Sequence, residues 1–363
     1  MKILAIETSC DETAVALLEI SGPAEKPDIR VLGNTLLSQA ALHEKYGGVY
    51  PTLAKREHEK NLPILLEQTL KQANVDTECL QVDFIAVTAG PGLEPALWTG
   101  ITFAEELGRR WRKPVVPVNH MEGHIYSVLY KTGSISKFEI RNSNLLTMPA
   151  LALLVSGGHT ELVLMREFGH YEIIGQTRDD AVGEAFDKVG RLLGLPYPGG
   201  PKISALAADS RFRIKDLGFK FPRPMLNSGN LDFSFSGLKT AVLYKIRRDN
   251  REDIEYKQDI ARAFEDAAVE VLIEKTRTAL ENLGNEARTL IVAGGVAANT
   301  HLIHELNNLI RDFPGLALRL PEKLLATDNA VMIGIAAYEN VSKRPELIEE
   351  NGNIRARGNL TYL

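Results

Sequence analysis

Residues 3–20 read ILAIETSCDETAVALLEI, and residues 151–165 read LALLVSGGHTELVLM. Each is an apolar run, a polar turn and a second apolar run, the pattern of two short strands joined by a tight connection. In the first stretch the runs Ile3 to Thr8 and Ala14 to Ile20 are followed by a third, Val31 to Leu37. In the second, Leu151 to Val155 and Thr160 to Met165 are followed by Tyr171 to Gly175. A three-strand antiparallel meander is therefore expected twice. After the first, Leu62, Leu65, Leu66, Leu70 and Ala73 recur at spacings of three and four, which predicts a helix from Pro51 to Ala73. The strand Phe84 to Thr88, a helix through Trp98 and Phe103, and the strand Val115 to Val118 follow. After the second meander come helices, the strand Leu290 to Ala293 and a further helix. Strands and helices joined by short links are α/β wiring.

The chain has 363 residues, room for two domains at roughly 100–200 residues each. The polar segment Lys131 to Thr147 is the best linker, so lobes are expected at 1–130 and 148–327, with 328–363 packing back near the cleft between them. Apolar residues are 44% and charged residues 25%, proportions of a globular protein and not of a disordered one. With 42 Lys and Arg against 47 Asp and Glu, the net charge of −5 excludes a surface that coats nucleic acid non-specifically, so any RNA must be gripped locally. Cys10 and Cys79 are too few for a disulfide framework or a four-thiolate zinc site, which suits a reducing compartment. The first apolar run is too short for a signal peptide, and no long uncharged apolar run offers a membrane span. A cytoplasmic protein without membrane partners is expected.

His120-Met121-Glu122-Gly123-His124 follows the strand Val115 to Val118 at the start of a helix. At about 100° per residue the two imidazoles lie roughly 40° apart on one face, so both can meet one metal ion, while Glu122 points elsewhere. The zinc-protease motif is excluded, because its Glu directly follows the first His and that position here is Met121. Asp328 precedes the apolar helical run Val331 to Ala337 and either caps that helix or supplies a carboxylate to the histidines. Two His and one Asp would leave open coordination positions. The Leu154-Val155-Ser156-Gly157-Gly158 turn either cradles a phosphate with backbone N–H groups or is a plain glycine hairpin. The polar turn Glu7 to Thr13 poses the same choice, and neither turn has the Gly-Lys-Ser ending of a P-loop. Gly294-Gly295 closes the strand Leu290 to Ala293 at the end where α/β folds hold nucleotides. Asp187 and Gly200 are further candidates to reach a ribose or small ligand.

Duplicated meander-plus-helix lobes are the plan of the actin-like ATPase (ASKHA) fold, an α/β fold with nucleotide bound in the cleft between lobes. Across nearly its whole length the chain also resembles the TsaD family of tRNA threonylcarbamoyladenosine transferases. The matching stretches include Glu7 to Thr13, Tyr46 to Val49, Thr88 to Leu93, Asn119 to His124, Leu154 to Thr160, Gly183 to Lys188, Tyr197 to Pro201, Asp232 to Thr240, Gly294 to Asn299 and Asp328-Asn329. The resemblance implies transfer of a threonylcarbamoyl group from threonylcarbamoyl-AMP to N6 of the tRNA adenosine beside the anticodon, position 37, with release of AMP. It implies that His120, His124 and Asp328 hold one divalent ion, iron before zinc, and that Leu154 to Gly158 with Asp187, Gly200 and Asn299 bind the adenylate. Asp11 and Glu12 are expected near the reacting end. TsaB and TsaE are the implied protein partners, with the apolar helix Pro51 to Ala73 as a docking face. Two basic and aromatic stripes, Arg211 to Lys215 and Phe219 to Arg223, are candidates to meet tRNA. Glu94 departs from the family pattern, and an acid there would oppose a nearby phosphate. The alternatives are an actin-like small-molecule kinase and a non-catalytic scaffold of the tRNA-modifying complex.

Overall fold

The computed structural model describes residues 1–24, 26–75, 81–130, 146–211, 218–284, 286–348 and 354–362. Cys79, most of the linker and the stripe from Phe212 to Lys215 lie outside them. In chain order the strands and α-helices are β1 (Lys2–Glu7), β2 (Glu12–Ser21), β3 (Asp28–Ser38), α1 (Ala40–His43), α2 (Pro51–Gln72), β4 (Phe84–Gly90), α3 (Glu94–Trp111), β5 (Val115–Asn119) and α4 (His120–Tyr126). Then follow β6 (Ala150–Val155), β7 (Thr160–Glu167), β8 (His170–Gln176), α5 (Val182–Leu192), α6 (Gly199–Arg211), α7 (Ser236–Asp249), α8 (Ile254–Leu283), β9 (Thr289–Ala293), α9 (Thr300–Leu309), β10 (Ala317–Arg319) and α10 (Ala330–Lys343).

The chain divides into two units, Met1–Leu146 with Pro321–Leu363, and Thr147–Leu320. Each holds one five-stranded sheet, ordered β3-β2-β1-β4-β5 in the first and β8-β7-β6-β9-β10 in the second. The wiring is the same in both. β1 and β6 each pair antiparallel with the next strand and parallel with a later one, β4 or β9. This is the duplicated actin-like α/β fold.

In the first unit β1 from Ile3 to Ile6 and β4 from Phe84 to Val87 are apolar and buried on both faces, as parallel neighbours require. Alternation sorts the faces of β1. Leu4 and Ile6 join the cluster with Leu62, Leu65, Leu66 and Leu70 of α2 and Ile101 of α3. Ala5, between them, meets α10 at Gly334, where an added Cβ would stand 2.0 Å from Leu18 Cδ1 and 3.3 Å from Ala5 Cβ. The apolar side of α2 is therefore core and not a docking face: the leucines that suggested docking are spent on the sheet. α2 crosses β3 at Gly33, where a Cβ would stand 2.2 Å from the Thr69 carbonyl oxygen.

The Phe219 to Arg223 stripe is likewise no free stacking platform. Phe221 belongs to the core of the second unit, Lys245 lies 4.4 Å over the Phe219 ring, and Arg223 is paired with Glu270 at 2.6 Å. Among the described residues no helix is long and apolar enough to cross a membrane.

Because the obstacle at Gly33 is backbone, Gly33→Ala forces α2 away from the sheet. A loss of ~1–3 kcal/mol is expected from such overpacking, read as a lower denaturant midpoint for the first unit's transition.

Candidate functional site

The histidine pair is placed by two helix caps. β5 ends at Asn119, whose Oδ1 accepts the Met121 N–H at 2.8 Å and starts α4 at His120. The Asn119 amide then donates to the Thr361 carbonyl at 3.1 Å. With α4 capped there, the rings of His120 and His124 stand edge to face with centroids 4.7 Å apart. Gly123 lies between them in sequence and lets α4 settle on α10, for a Cβ there would stand 3.1 Å from Met332 and Ile333. Glu122 points into the same contact, where its Oε2 accepts from Asn340 at 2.7 Å.

The second cap decides the role of Asp328. The cap of α10 is Asn329, whose Oδ1 accepts the Met332 N–H at 2.9 Å while its amide donates to the Thr327 carbonyl at 2.7 Å. Asp328 is left for the histidines: its Oδ1 lies 3.3 Å from His120 Nε2 and 3.2 Å from His124 Nε2. The three side chains offer donor atoms all within 4.8 Å of one another. Neither ring nitrogen of the fully buried His124 makes a hydrogen bond. Its Nε2 has only the Asp328 carboxylate at 3.2 Å and its Nδ1 accepts or donates nothing, a poorly satisfied buried imidazole that a bound ion would complete, so the residues fit an ion. Nitrogen and carboxylate donors in this ratio suit iron or zinc better than magnesium.

Burial opposes a charge on His120, but Asp328 and Glu7 outweigh it and hold the pKa well above that of an ordinary imidazole. Burial likewise works against the Asp328 carboxylate, and His120 with His124 reverses this, keeping it far below the usual range. His120 Nδ1 lies 3.1 Å from Glu7 Oε2 and 3.2 Å from Ser9 Oγ.

Asp11 and Glu12 belong to the turn between β1 and β2, in the same unit as the histidines. The turn is pinned by its backbone: the Ser9 carbonyl accepts from Leu93 N–H at 2.8 Å, the Asp11 carbonyl from Gln39 N–H at 2.9 Å, and the Cys10 carbonyl lies 3.0 Å from His58 Nε2. Burial, then Asp11 and Asp328, push the Glu12 carboxyl well above its usual value. Burial and the same acids push the Cys10 thiol up, so it is no thiolate nucleophile. Glu94 keeps its charge, and its Oε1 accepts the Gly358 N–H at 3.3 Å, helping strap residues 354–362 across the turn after β4.

In the second unit Ser156 N–H donates to the His159 carbonyl at 2.9 Å, and Ser156 Oγ accepts from His159 N–H at 3.1 Å, which closes the turn after Leu154 and Val155. A Cβ on Gly157 or Gly158 would meet nothing within 4 Å. These glycines are not demanded by packing, unlike Gly294, whose φ of +95° and approach to the Val155 carbonyl oxygen (2.5 Å from a built Cβ) exclude a side chain. β6 and β9 are parallel neighbours, so the turn and Gly294 lie at one edge, the carboxyl ends of the strands. Asp187 Oδ1 accepts the Gly199 N–H at 2.7 Å and thereby holds the start of α6 beside Gly200. Asn299 caps α9 through Oδ1, and its amide donates to Glu265 at 2.7 Å and Ser204 at 2.9 Å.

Sequence reasoning passed over Glu7 as a partner of His120, although an acid closing an apolar strand is a visible oddity. It also passed over Asn119, Asn329 and His58, whose roles depend on caps and contacts with distant chain.

A family model described as TsaD, tRNA N6-adenosine threonylcarbamoyltransferase, matches residues 30–335. This chain belongs to that family. A TsaD-family relative so named from Thermosipho africanus is 42% identical over 94% of this chain and 95% of its own length. Another from Aromatoleum aromaticum is 46% identical over 93% of this chain and 90% of its own. Among solved structures, full-length HypF in a phosphate- and nucleotide-bound form superposes with a TM-score of 0.57 at 12% identity, covering 98% of this chain and 47% of that one. HypF from T. kodakarensis gives 0.58 at 14%, over 96% of this chain and 49% of that one. At such identity these likenesses speak for the fold.

Because a metal ion needs neutral His120, its binding must expel the proton that Asp328 and Glu7 stabilise. In the metal-free protein that proton adds stability below the ordinary imidazole pKa, and the contribution is lost as pH rises through the raised one. Metal affinity should therefore increase with pH until that value is passed, and proton release should be measurable by calorimetry in buffers of different ionisation enthalpy. His124→Ala should abolish stoichiometric binding.

Proposed function

We propose that this chain transfers the threonylcarbamoyl group of threonylcarbamoyl-AMP to N6 of adenosine 37 in tRNAs that read codons beginning with A. Family membership supports the reaction class, and the convergence of His120, His124 and Asp328 is the observation that carries the site. The attacking nitrogen forms a bond to the carbamoyl carbon, the bond from that carbon to the phosphate oxygen breaks, and AMP leaves with the electron pair. The donor is a mixed anhydride, so the protein needs alignment and charge stabilisation but no covalent nucleophile. The protonated Cys10 is consistent with that.

The open space over Gly157 and Gly158, at the strand ends beside Gly294, leaves room for the phosphate of the adenylate. Asp187 and Gly200 are assigned to its sugar, and Asn299 supports the wall of the same site from its cap position. Glu12 is assigned to accept the N6 proton: burial, then Asp11 and Asp328, raise its pKa, which makes its carboxylate a stronger base. Asp11 beside it keeps that pKa up. When bound at His120, His124 and Asp328, the ion supplies Lewis acidity to a phosphate or carbamoyl oxygen. Iron is the proposed ion and zinc the alternative, to be separated by elemental analysis of anaerobically purified protein.

TsaB and TsaE belong to the proposal as partners, on the family resemblance alone, and a cytoplasmic location follows from a tRNA substrate. With a net charge of −5, tRNA must meet a local basic patch, so binding should weaken steeply with salt.

The deciding experiment adds synthetic threonylcarbamoyl-AMP, unmodified tRNA, TsaB and TsaE to the chain and follows nucleosides by mass spectrometry. Threonylcarbamoyladenosine and AMP should appear together. ATP consumed with a phosphorylated metabolite in the absence of tRNA would mean a kinase, and modification retained by a folded His120→Ala, His124→Ala protein would mean a scaffold.

Two variants test the parts. Glu12→Gln should cut kcat by about 10²–10⁴ while leaving donor and metal binding intact, and the wild-type rate should rise with pH through the Glu12 pKa. Gly158→Ala should change stability by less than about 0.5 kcal/mol, because its Cβ meets nothing, yet weaken adenylate binding roughly tenfold, or about 1.4 kcal/mol.

A further inference from the structure

Glu7 is a buried carboxylate that the transfer chemistry above leaves unused. It ends β1 with no exposed surface, and both oxygens are held. Ser9 N–H donates to Oε1, and Thr88 Oγ1 donates to Oε2 at 2.6 Å. A glutamine there has one oxygen and one NH2, so it could accept from only one of these donors and would bring no charge to face a neighbour. A carboxylate is retained where a donor of positive character faces it, and the ion-pair partner of Glu7 among the described residues is His120, with Nδ1 at 3.1 Å from Oε2.

The two histidines are held unequally. His120 has Glu7 and Ser9 at Nδ1 and Asp328 at Nε2, so a carboxylate stands at each end of the ring. His124 has no hydrogen bond at Nδ1. Neutral imidazole carries one N–H, so whichever nitrogen donates leaves the other as the ligand.

We infer that Glu7 is a positioning residue of the metal centre, accepting the Nδ1–H of His120 and thereby presenting the Nε2 lone pair to the ion. This rests on the reading of His120, His124 and Asp328 as ligands. A carboxylate behind a ligating imidazole fixes ring and tautomer and strengthens the nitrogen as a donor. Thr88 on β4 and the Ser9 backbone aim that carboxylate, so β1 and β4 together orient a ligand carried by α4. Ser9 Oγ, at 3.2 Å from the same nitrogen, is the weaker acceptor and yields to the charged one.

The test is anaerobic titration of the metal-free full chain with Co(II) and Zn(II), in wild type, Glu7→Gln, Thr88→Val, Ser9→Ala and His124→Ala. Glu7→Gln should bind both ions about 10–100-fold more weakly, with altered Co(II) visible absorption. Ser9→Ala should stay within a few-fold of wild type. In the zinc-loaded wild type, nitrogen-correlated NMR should show an exchange-protected Nδ1–H on His120, lost in Glu7→Gln. A structural role limited to the β1 turn would alter melting without moving the cobalt spectrum or that proton. Wild-type affinity and spectrum in Glu7→Gln overturn the inference. If that variant does not fold, Thr88→Val, which keeps the carboxylate but frees it to swing, decides: a shifted cobalt spectrum and weaker binding support the inference, and wild-type values overturn it. Co(II) bound as well by His124→Ala as by wild type would instead overturn the ligand reading beneath it.

Discussion

The close seating of α4 on α10 is the contact on which the first unit's chemistry depends. Gly123 stands where Met332 and Ile333 would meet a side chain, and Gly334 does the same for Leu18 and Ala5 on the sheet below. Two glycines therefore stack helix on helix on strand with little space between. That stacking brings residue 328 to residues 120 and 124 across some two hundred positions of chain. A methyl group at Gly123 would push apart the two elements that carry the donor atoms, and one at Gly334 would lift α10 off the sheet.

Around this contact the electrostatics are arranged to hold positive charge. Glu7, Asp11, Glu12 and Asp328 gather near one pair of imidazoles, and burial makes each carboxylate costly unless something cationic balances it. The shifts of Glu7, Asp328 and Glu12 diverge accordingly. Those facing His120 directly, Glu7 and Asp328, are held low, whereas Glu12, facing other acids, is pushed up. One cluster thus holds carboxylates pushed to opposite sides of their usual range, a division set by which neighbours each one faces.

Much of this was legible in the sequence. The paired meanders appear where the apolar runs place them, with ends differing by at most three residues, because period-two alternation and apolar parallel strands leave a strong local pattern. The histidine spacing of four was equally plain, since helical geometry alone puts both rings on one face. Other readings failed for a common reason. The apolar stripe of α2 looks the same whether it faces a partner or its own sheet, and the Phe219 to Arg223 stripe looks the same whether its rings are exposed or, like Phe221, in the core. Composition along an element says that a face wants cover without saying what covers it.

The choice between Asp328 and Asn329 illustrates the remaining gap. Either residue type caps a helix well, so local preference cannot say which does. Helix α10 begins one residue later than a cap at Asp328 would require, and that single residue frees a carboxylate for His120 and His124. By itself the sequence determined the duplicated α/β plan, the histidine pair and the glycine turns, because these rest on periodicities and steric rules within a few residues. Only the tertiary structure decided that Asp328 joins the histidines, that Glu7 backs His120 and that burial with Asp11 and Asp328 pushes Glu12 up. Those outcomes depend on distances between segments far apart in the chain, and burial and Coulomb forces act on distance, not on sequence separation.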